Sequence, residues 1–137
     1  MLTETLIANL KSDTTLLTLL DVTDPTTAPI QVTYVPINMP NKYVILNLTY
    51  GESFHLGYES GVLTIEVYVK DSINQPVAVL KNISERIFQI FDMKGSQLQD
   101  AMTSKVYRLR KVGFTDMYDN VTHYYIGSID FEYFVTR

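Results

Sequence analysis

The apolar residues in the first twenty positions recur at helical spacing and predict two short helices. Leu2, Leu6, Ile7 and Leu10 share one face of the first helix, and polar residues lie opposite. Asp13 then offers a side-chain oxygen that can cap a second helical turn over residues 14–20. The leucines of that turn surround it almost completely, so we expect the rest of the domain or a partner to cover it.

Alternating apolar and polar residues predict three strands in the next part of the chain, over residues 30–35, 43–50 and 62–70. The third pattern is the clearest, because Leu63, Ile65, Val67 and Val69 fall on one face of the strand. Glu66 and Lys70 fall on the other face, which predicts that one face of the sheet contacts water.

A longer helical pattern follows over residues 75–93, after a start signal that includes Pro76. Its inner stripe consists of apolar residues, namely Val77, Leu80, Ile83, Ile87, Ile90 and Phe91. Residues 97–105 are expected to form a polar connector with at most a short helical turn. Two final strands, 105–116 and 122–136, are expected to form a hairpin around a turn at 117–120, because Asp119 and Asn120 tolerate left-handed geometry.

This order of elements predicts an α+β fold. We expect an antiparallel sheet of about four to five strands, with the long helix packed on one face and short helices at the N-terminus. The chain has 137 residues, which suits one domain, and the pattern contains neither a repeat nor a linker. A single domain over residues 1–137 is therefore predicted.

Composition narrows the possible functions. The chain contains no cysteine, which excludes disulfides, thiolate metal sites and cysteine nucleophiles. Its net charge of −4 argues against a dedicated nucleic-acid binder, and its 46% apolar content excludes a disordered chain. The apolar runs are too short to cross a bilayer, and the first residues lack the basic start of a signal peptide. We expect a soluble protein that a cleaved leader does not export and that makes no membrane contact.

Residues that carry chemistry are sparse. The two histidines, His55 and His123, each lie near a predicted loop or strand end with no ligand at a suitable spacing. Joining them to Asp116 and Asp119 would make a possible metal set, but the spacing supports it no better than chance. The glycines stand alone and form no phosphate-binding loop. We therefore expect no catalytic residues, no metal and no cofactor.

The basic residues Lys105, Arg108, Arg110 and Lys111 form one cluster along a predicted strand. One interpretation is cross-strand pairing with Glu66, Asp130 and Glu132 on neighbouring strands. The other is a contact surface for another subunit, or for nucleic acid passing nearby. The two are compatible if the charged face meets a copy of itself.

Tyrosine is the other unusual feature, with ten residues that lie almost entirely in predicted strands and loops. Tyrosine on a half-exposed strand suits protein interfaces, and Tyr68 and Tyr124 are predicted to lie on the face that contacts water. The loops 35–42, 52–60 and 116–122 are long for simple connections. Together these features give a set of candidate interface residues: Tyr34, Met39, Phe54, His55, Tyr58, Tyr68, Arg108, Arg110, Met117, Tyr118 and Tyr124.

Four stretches carry a resemblance to a known family: LIANLKSDTTLLTLL at the start, IQVTYVPINMPNKYVIL, VLTIEVYVKDSINQPVAVLKNISERIFQIF, and the closing GSIDFEYFVTR. In order and pattern the chain resembles the tail-completion, or tail-terminator, proteins of long-tailed bacteriophages. The resemblance covers nearly the whole chain and rests on hydrophobicity and length.

The resemblance implies a structural virion protein that forms a ring, expected to be a hexamer, at the head-proximal end of the phage tail tube. Such a ring ends tube polymerisation and provides a docking surface for the head and neck. The implied partners are further copies of the chain, the major tail tube protein and a head-completion or neck protein. DNA would pass through the lumen without sequence-specific binding. Assembly in the cytoplasm of a host bacterium is implied as well.

Two alternatives stay open. The first is another neck component, such as a head-closure or tail-tube-like protein. The second is a small α+β domain that binds a ligand or catalyses a hydrolysis, which would need an apolar pocket with convergent polar groups.

Overall fold

The computed structural model describes residues 2–33, 40–51, 59–93, 97–99 and 106–136. The elements follow in the order α1 (Leu2–Lys11), α2 (Thr14–Leu19), a 3₁₀ turn (Pro25–Thr27), β1 (Ile30–Val32), β2 (Lys42–Gly51), β3 (Glu59–Lys70), α3 (Pro76–Met93), β4 (Gln97–Gln99), β5 (Val106–Asp119) and β6 (Tyr124–Thr136).

The strands form one six-stranded sheet in the order β1-β2-β3-β6-β5-β4. The predicted α+β class, with a helix packed on the sheet and short N-terminal helices, is confirmed. Two details differ from the prediction. The first strand ends at Val32 and pairs with β2 in parallel, so the sheet is mixed. The sequence did not predict this pairing, because side-chain alternation does not encode strand direction. Residues 97–99 form an edge strand rather than part of a connector, and this strand has only one apolar residue to signal it.

One face of the sheet, the covered face, packs against all three helices. The inward residues of β3 are Leu63, Ile65, Val67 and Val69, and each has no exposed surface. Helix α3 lies across β3 and β6, and its stripe of Leu80, Ile83, Ile87, Ile90 and Phe91 is buried as predicted. Val77 was expected in this stripe but is 52% exposed, because it borders a shallow hollow beside β5.

The N-terminal helices complete the covered face. Asp13 caps α2 as predicted, since its Oδ1 accepts a hydrogen bond from the backbone N–H of Leu16 at 2.7 Å. The same carboxylate binds Arg86 of α3 through a salt bridge of 2.6 Å. Leu16 and Leu17 of α2 are buried in the common core. The apolar surface of α2 is therefore covered within the domain.

The turn of the β5–β6 hairpin lies further along the chain than predicted. Strand β5 continues to Asp119 and β6 begins at Tyr124, so the tip comprises residues 120–123. The left-handed residue is His123, with a φ of 62°, rather than Asp119 or Asn120. Asp119 stabilises the tip in another way, because its carboxylate accepts hydrogen bonds from the Val121 N–H and the Thr122 hydroxyl. These bonds lower the pKa of Asp119.

Candidate interaction surfaces

The second face of the sheet, the open face, is covered by none of the described helices. At one end it carries a cluster of aromatic rings. Tyr43 and Tyr68 stack with centroids 4.4 Å apart and planes 7° apart, and Tyr124 meets Tyr43 edge-on at 5.4 Å. Burial raises the pKa of Tyr43 to about 12. Burial, followed by the hydrogen bond to Glu66, raises the pKa of Tyr68 as well.

The prediction that Tyr124 contacts water is wrong. Its side chain is 1% exposed, and its hydroxyl donates a hydrogen bond to the carbonyl oxygen of Pro40 at 2.9 Å. Tyr68 is partly buried against the same cluster. The open face therefore has a small core of its own at this end, formed by Tyr43, Ile45, Tyr124 and Ile126.

The rest of the open face carries hydrogen-bonded polar side chains. The carboxylate of Glu66 accepts hydrogen bonds from the Tyr68 hydroxyl and from the Asn47 amide, the latter at 2.8 Å. In the same way the Thr64 hydroxyl donates to Asp130 at 2.7 Å. Each bond lies on one strand or joins neighbouring strands, so this part of the face is held in a fixed arrangement.

Cross-strand charge pairing was one interpretation of the basic cluster, and it is confirmed for one residue. Arg110 lies opposite Glu132, and its Nη2 is 2.5 Å from a carboxylate oxygen of that residue. The Arg110 side chain is 72% exposed and the Glu132 side chain is 37% exposed. Such a pair contributes roughly 0.2–1 kcal/mol to stability.

The β5 margin is the outer part of the sheet between residues 109 and 121, together with the neighbouring surface of α3. It carries most of the exposed large apolar residues of the described chain, namely Val77, Val112, Phe114, Met117, Tyr118 and Val121. A cleft of about 170 Å³ lies between Phe88 of α3 and Phe114 of β5. A shallower hollow of about 240 Å³ lies beside Val77 of α3 and Tyr118 of β5.

Phe114 was not among the predicted interface residues. It is 41% exposed and lies over Gly127, where an added Cβ would be 3.2 Å from its ring. A register shift between Lys111 and Gly113 places Phe114 on the helix side of the sheet. Simple alternation from Arg110 would put Phe114 on the open face, so the bulge is the reason that the sequence pattern did not predict its position. The isolated Gly113 was the available signal.

One cluster of titratable side chains joins the hairpin to the turn before α3. The Tyr118 hydroxyl donates to Asp71 at 2.6 Å, and the Nδ1 of His123 lies 3.2 Å from the same hydroxyl. The hydrogen bond to Asp71 raises the pKa of Tyr118 to about 12, which disfavours the phenolate that a nucleophile or base would need. These contacts connect the hairpin to the turn before α3.

The structure places the remaining predicted interface residues unevenly. Met117 and Tyr118 are adjacent and exposed, at 61% and 42%. Arg108 lies in β5 opposite Phe134. Five predicted residues lie outside the described part of the chain, namely Tyr34, Met39, Phe54, His55 and Tyr58. Their role stays a prediction.

The described residues contain no group of three or more histidine or acidic side chains arranged to hold a metal ion. His123 lies near Asp71 rather than in the metal set considered from the sequence, of which His55 lies outside the described residues. None of the helices in these parts of the chain has the length and apolar character required to span a bilayer.

Comparison with known proteins gives a likeness in structure. No family model matches the chain, and no curated protein matches it in sequence. Among solved structures, the fold is similar to a chain of the virion of a native gene transfer agent particle, with a TM-score of 0.68. The match covers 95% of this chain and 90% of that chain at 14% sequence identity. It therefore identifies a shared fold across almost the whole length of both.

Proposed function

We propose that this protein is a structural component of a phage-like virion that forms a ring at the head-proximal end of the tail tube. In this role it ends tube polymerisation and provides the surface to which the head or neck binds. The ring consists of copies of this chain and is expected to be a hexamer. DNA passes through its lumen without sequence-specific contact.

The observation that carries the proposal is the fold shared with a chain of a gene transfer agent virion over 95% of this chain. The sequence pattern independently resembles tail terminators, and the two lines agree on a virion protein. A fold alone does not define a function, so the position within the particle rests on the sequence resemblance.

The surface of the subunit supports a role in assembly. Exposed apolar side chains concentrate on the β5 margin, where Met117, Phe114 and Val112 are each more than 40% exposed. Exposed apolar side chains concentrated in one region of the surface commonly mark a protein–protein contact. A ring closes through head-to-tail contacts between two different surfaces of the same subunit.

Deletion of the gene in a producing strain tests the proposed position, with electron microscopy of the particles as the readout. We expect tails of irregular, increased length without attached heads, and complementation by the intact gene should restore normal particles. Tails of normal length joined to heads in the deletion strain would contradict the proposal. Native mass spectrometry of the purified chain, alone and with isolated tail tubes, measures the ring size.

A pair of surface variants tests the assembly surface. Met117→Asp introduces a charge at an exposed apolar position of the β5 margin, and Asn82→Asp introduces the same group at an exposed position of α3. Both variants should unfold at the temperature of the original protein, since neither side chain is buried. Only Met117→Asp is expected to reduce ring formation and binding to tail tubes. Equal assembly by both variants would remove Met117 from the interface.

Another neck component is the alternative to a tail terminator. The two differ in location, because a terminator binds the tail tube and a head-closure protein binds the portal side. Detection of the labelled protein in purified heads or in purified tails distinguishes the two alternatives. Recovery with heads alone would favour the neck alternative.

A further inference from the structure

Strand β5 has an edge that no described strand occupies over most of its length. Strand β4 pairs with β5 only at Val106, Tyr107 and Arg108. Along residues 109–118, the side of β5 that faces away from β6 therefore has no strand partner among the described residues. An edge of this length with exposed apolar side chains is a template for pairing with another strand.

The charges of β5 are separated along the strand. Arg108, Arg110 and Lys111 lie in the first half, and Asp116 and Asp119 lie in the second half. A parallel alignment of two such strands places like charges together. An antiparallel alignment places the basic half of each strand beside the acidic half of the other, so the pattern is complementary to itself.

The bulge selects one register for such a pair. Because Val112 is the extra residue, the positions of β5 that point to the helix side are 109, 111, 114, 116 and 118. Residues directly opposite each other in a sheet must point to the same side. An antiparallel pair centred on Phe114 meets this condition, because Lys111 then lies opposite Asp116 and Leu109 lies opposite Tyr118.

We propose that the exposed edge of β5 pairs with the same edge of a second copy of this chain, antiparallel and centred on Phe114, to form a two-fold dimer. The two sheets then become continuous, and both α3 helices lie on the same side. The two Phe114 rings meet on the axis, in the space between the helices where each subunit alone has its cleft. Lys111 of each copy contacts Asp116 of the other.

This dimer does not depend on the proposed function, but it occupies the β5 margin, so a subunit in the dimer does not use that margin for the ring contact proposed above. The dimer uses one surface twice and closes at two subunits, whereas a ring uses two different surfaces. The bulge and the charges of β5 are also the features by which sheet edges avoid unspecific pairing. In this chain they permit one register and oppose the others.

Cysteine cross-linking tests the register directly, because the natural chain contains no cysteine. In the Phe114→Cys variant the two thiols lie opposite each other across the axis, at a Cα separation of about 4.5–5.5 Å that a disulfide can bridge. Mild oxidation should convert most of this variant to a covalent dimer. Val121→Cys is the control, since it is 82% exposed but lies beyond the paired residues, and it should remain largely monomeric.

Charge reversal tests the same contact without a covalent bond. Lys111→Asp alone and Asp116→Lys alone each place like charges opposite each other twice per dimer. Each should raise the dimer dissociation constant about tenfold. The double variant restores the attraction with reversed polarity and should return the constant to within about threefold of the original. Light scattering or sedimentation measures it, and circular dichroism verifies that each variant is folded.

Three results would overturn the proposal. One is a monomer at about 1 mM, which excludes a specific dimer of useful affinity. Another is a dimer whose stability neither reversal changes. The last is a Phe114→Cys variant that cross-links no more than Val121→Cys. If the chain forms a ring but Phe114→Cys cross-links no more than Val121→Cys, the result would support the proposed function and exclude this dimer.

Discussion

The two faces of the sheet are made from alternate residues of the same strands but are stabilised differently. On the covered face, Ile65 and its neighbours have no exposed surface and pack against three helices. On the open face, Glu66 lies between Asn47 and Tyr68 in a hydrogen-bonded network. Packing holds the first face. Ring stacking and hydrogen bonds between strands hold the second.

This difference indicates how the fold leaves surface available for assembly. The helices of the described residues all pack on the covered face, so none of them covers the open face. Tyr43 and Tyr124 give the open face a stable end without a helix over it. Aromatic residues can do so because each buries a large area and retains a polar atom for a hydrogen bond.

The largest effect is expected on the covered face. Ile65→Ala removes buried methyl groups at a position with no exposed surface and should lower the free energy of unfolding by about 2–5 kcal/mol. Val62→Ala, at a position 42% exposed on the other side of the same strand, should cost less than about 0.5 kcal/mol. Urea unfolding measures both. Equal losses would contradict the assignment of the two faces.

On the open face, Tyr124→Ala should lower the free energy of unfolding by about 3 kcal/mol, because it removes a buried ring and its contacts with Tyr43 and Tyr68. Tyr124→Phe keeps the ring and loses the hydrogen bond from the hydroxyl to Pro40, which should cost about 1 kcal/mol. Unfolding of both variants in urea separates the two contributions. A loss below about 1 kcal/mol for Tyr124→Ala would show that the cluster is not a core.

Alkaline pH should weaken the open face. Burial raises the pKa of Tyr43 from 10.0 to about 12, so the unfolded chain loses this proton first. The contribution of Tyr43 to the free energy of unfolding is therefore fully present below about pH 9. It is lost as the pH rises from about 10 to about 12. In Tyr43→Phe the free energy of unfolding should depend less steeply on pH between these values, by the equivalent of about one proton. Urea unfolding at several pH values measures this dependence. An unchanged slope would contradict this role for Tyr43.

The smallest effect is expected at the exposed ion pair. Arg110→Ala should change the free energy of unfolding by less than about 1 kcal/mol, because both partners are accessible to water and salt screens them. Glu132→Ala should give a similar value, and the double variant should give little more than either single variant. Thermal unfolding at low and high salt measures all three. A loss of several kcal/mol would show that the pair is part of a larger network.

The sequence was sufficient for the elements whose patterns are strong. The alternation from Leu63 to Val69 predicts both the strand and its buried face, and the cap at Asp13 predicts the start of α2. The pairing of Arg110 with Glu132 agrees with one of the two interpretations of the basic cluster, because residues directly opposite each other on neighbouring strands share a face. Each of these signals lies within a few residues of the chain.

The exposure and orientation of individual side chains were predicted less successfully, because they depend on residues that are distant in the chain or on a local irregularity. Tyr124 was expected to contact water, since alternation places it on the polar side of β6. It is buried because Tyr43, Tyr68 and Pro40 come from other parts of the chain to cover it. The position of Phe114 on the helix side was not predicted because one extra residue at the bulge reverses the alternation of the residues that follow.

The sequence by itself determined the class of fold, the buried stripe of the central strand and the polar character of its other side. Those properties depend on the local period of apolar residues, which is 2 in a strand and 3.6 in a helix. Only the tertiary structure decided the parallel pairing of β1, the burial of Tyr124 and the edge of β5 that no described strand occupies. These depend on which distant segments meet, and local periodicity carries no information about that.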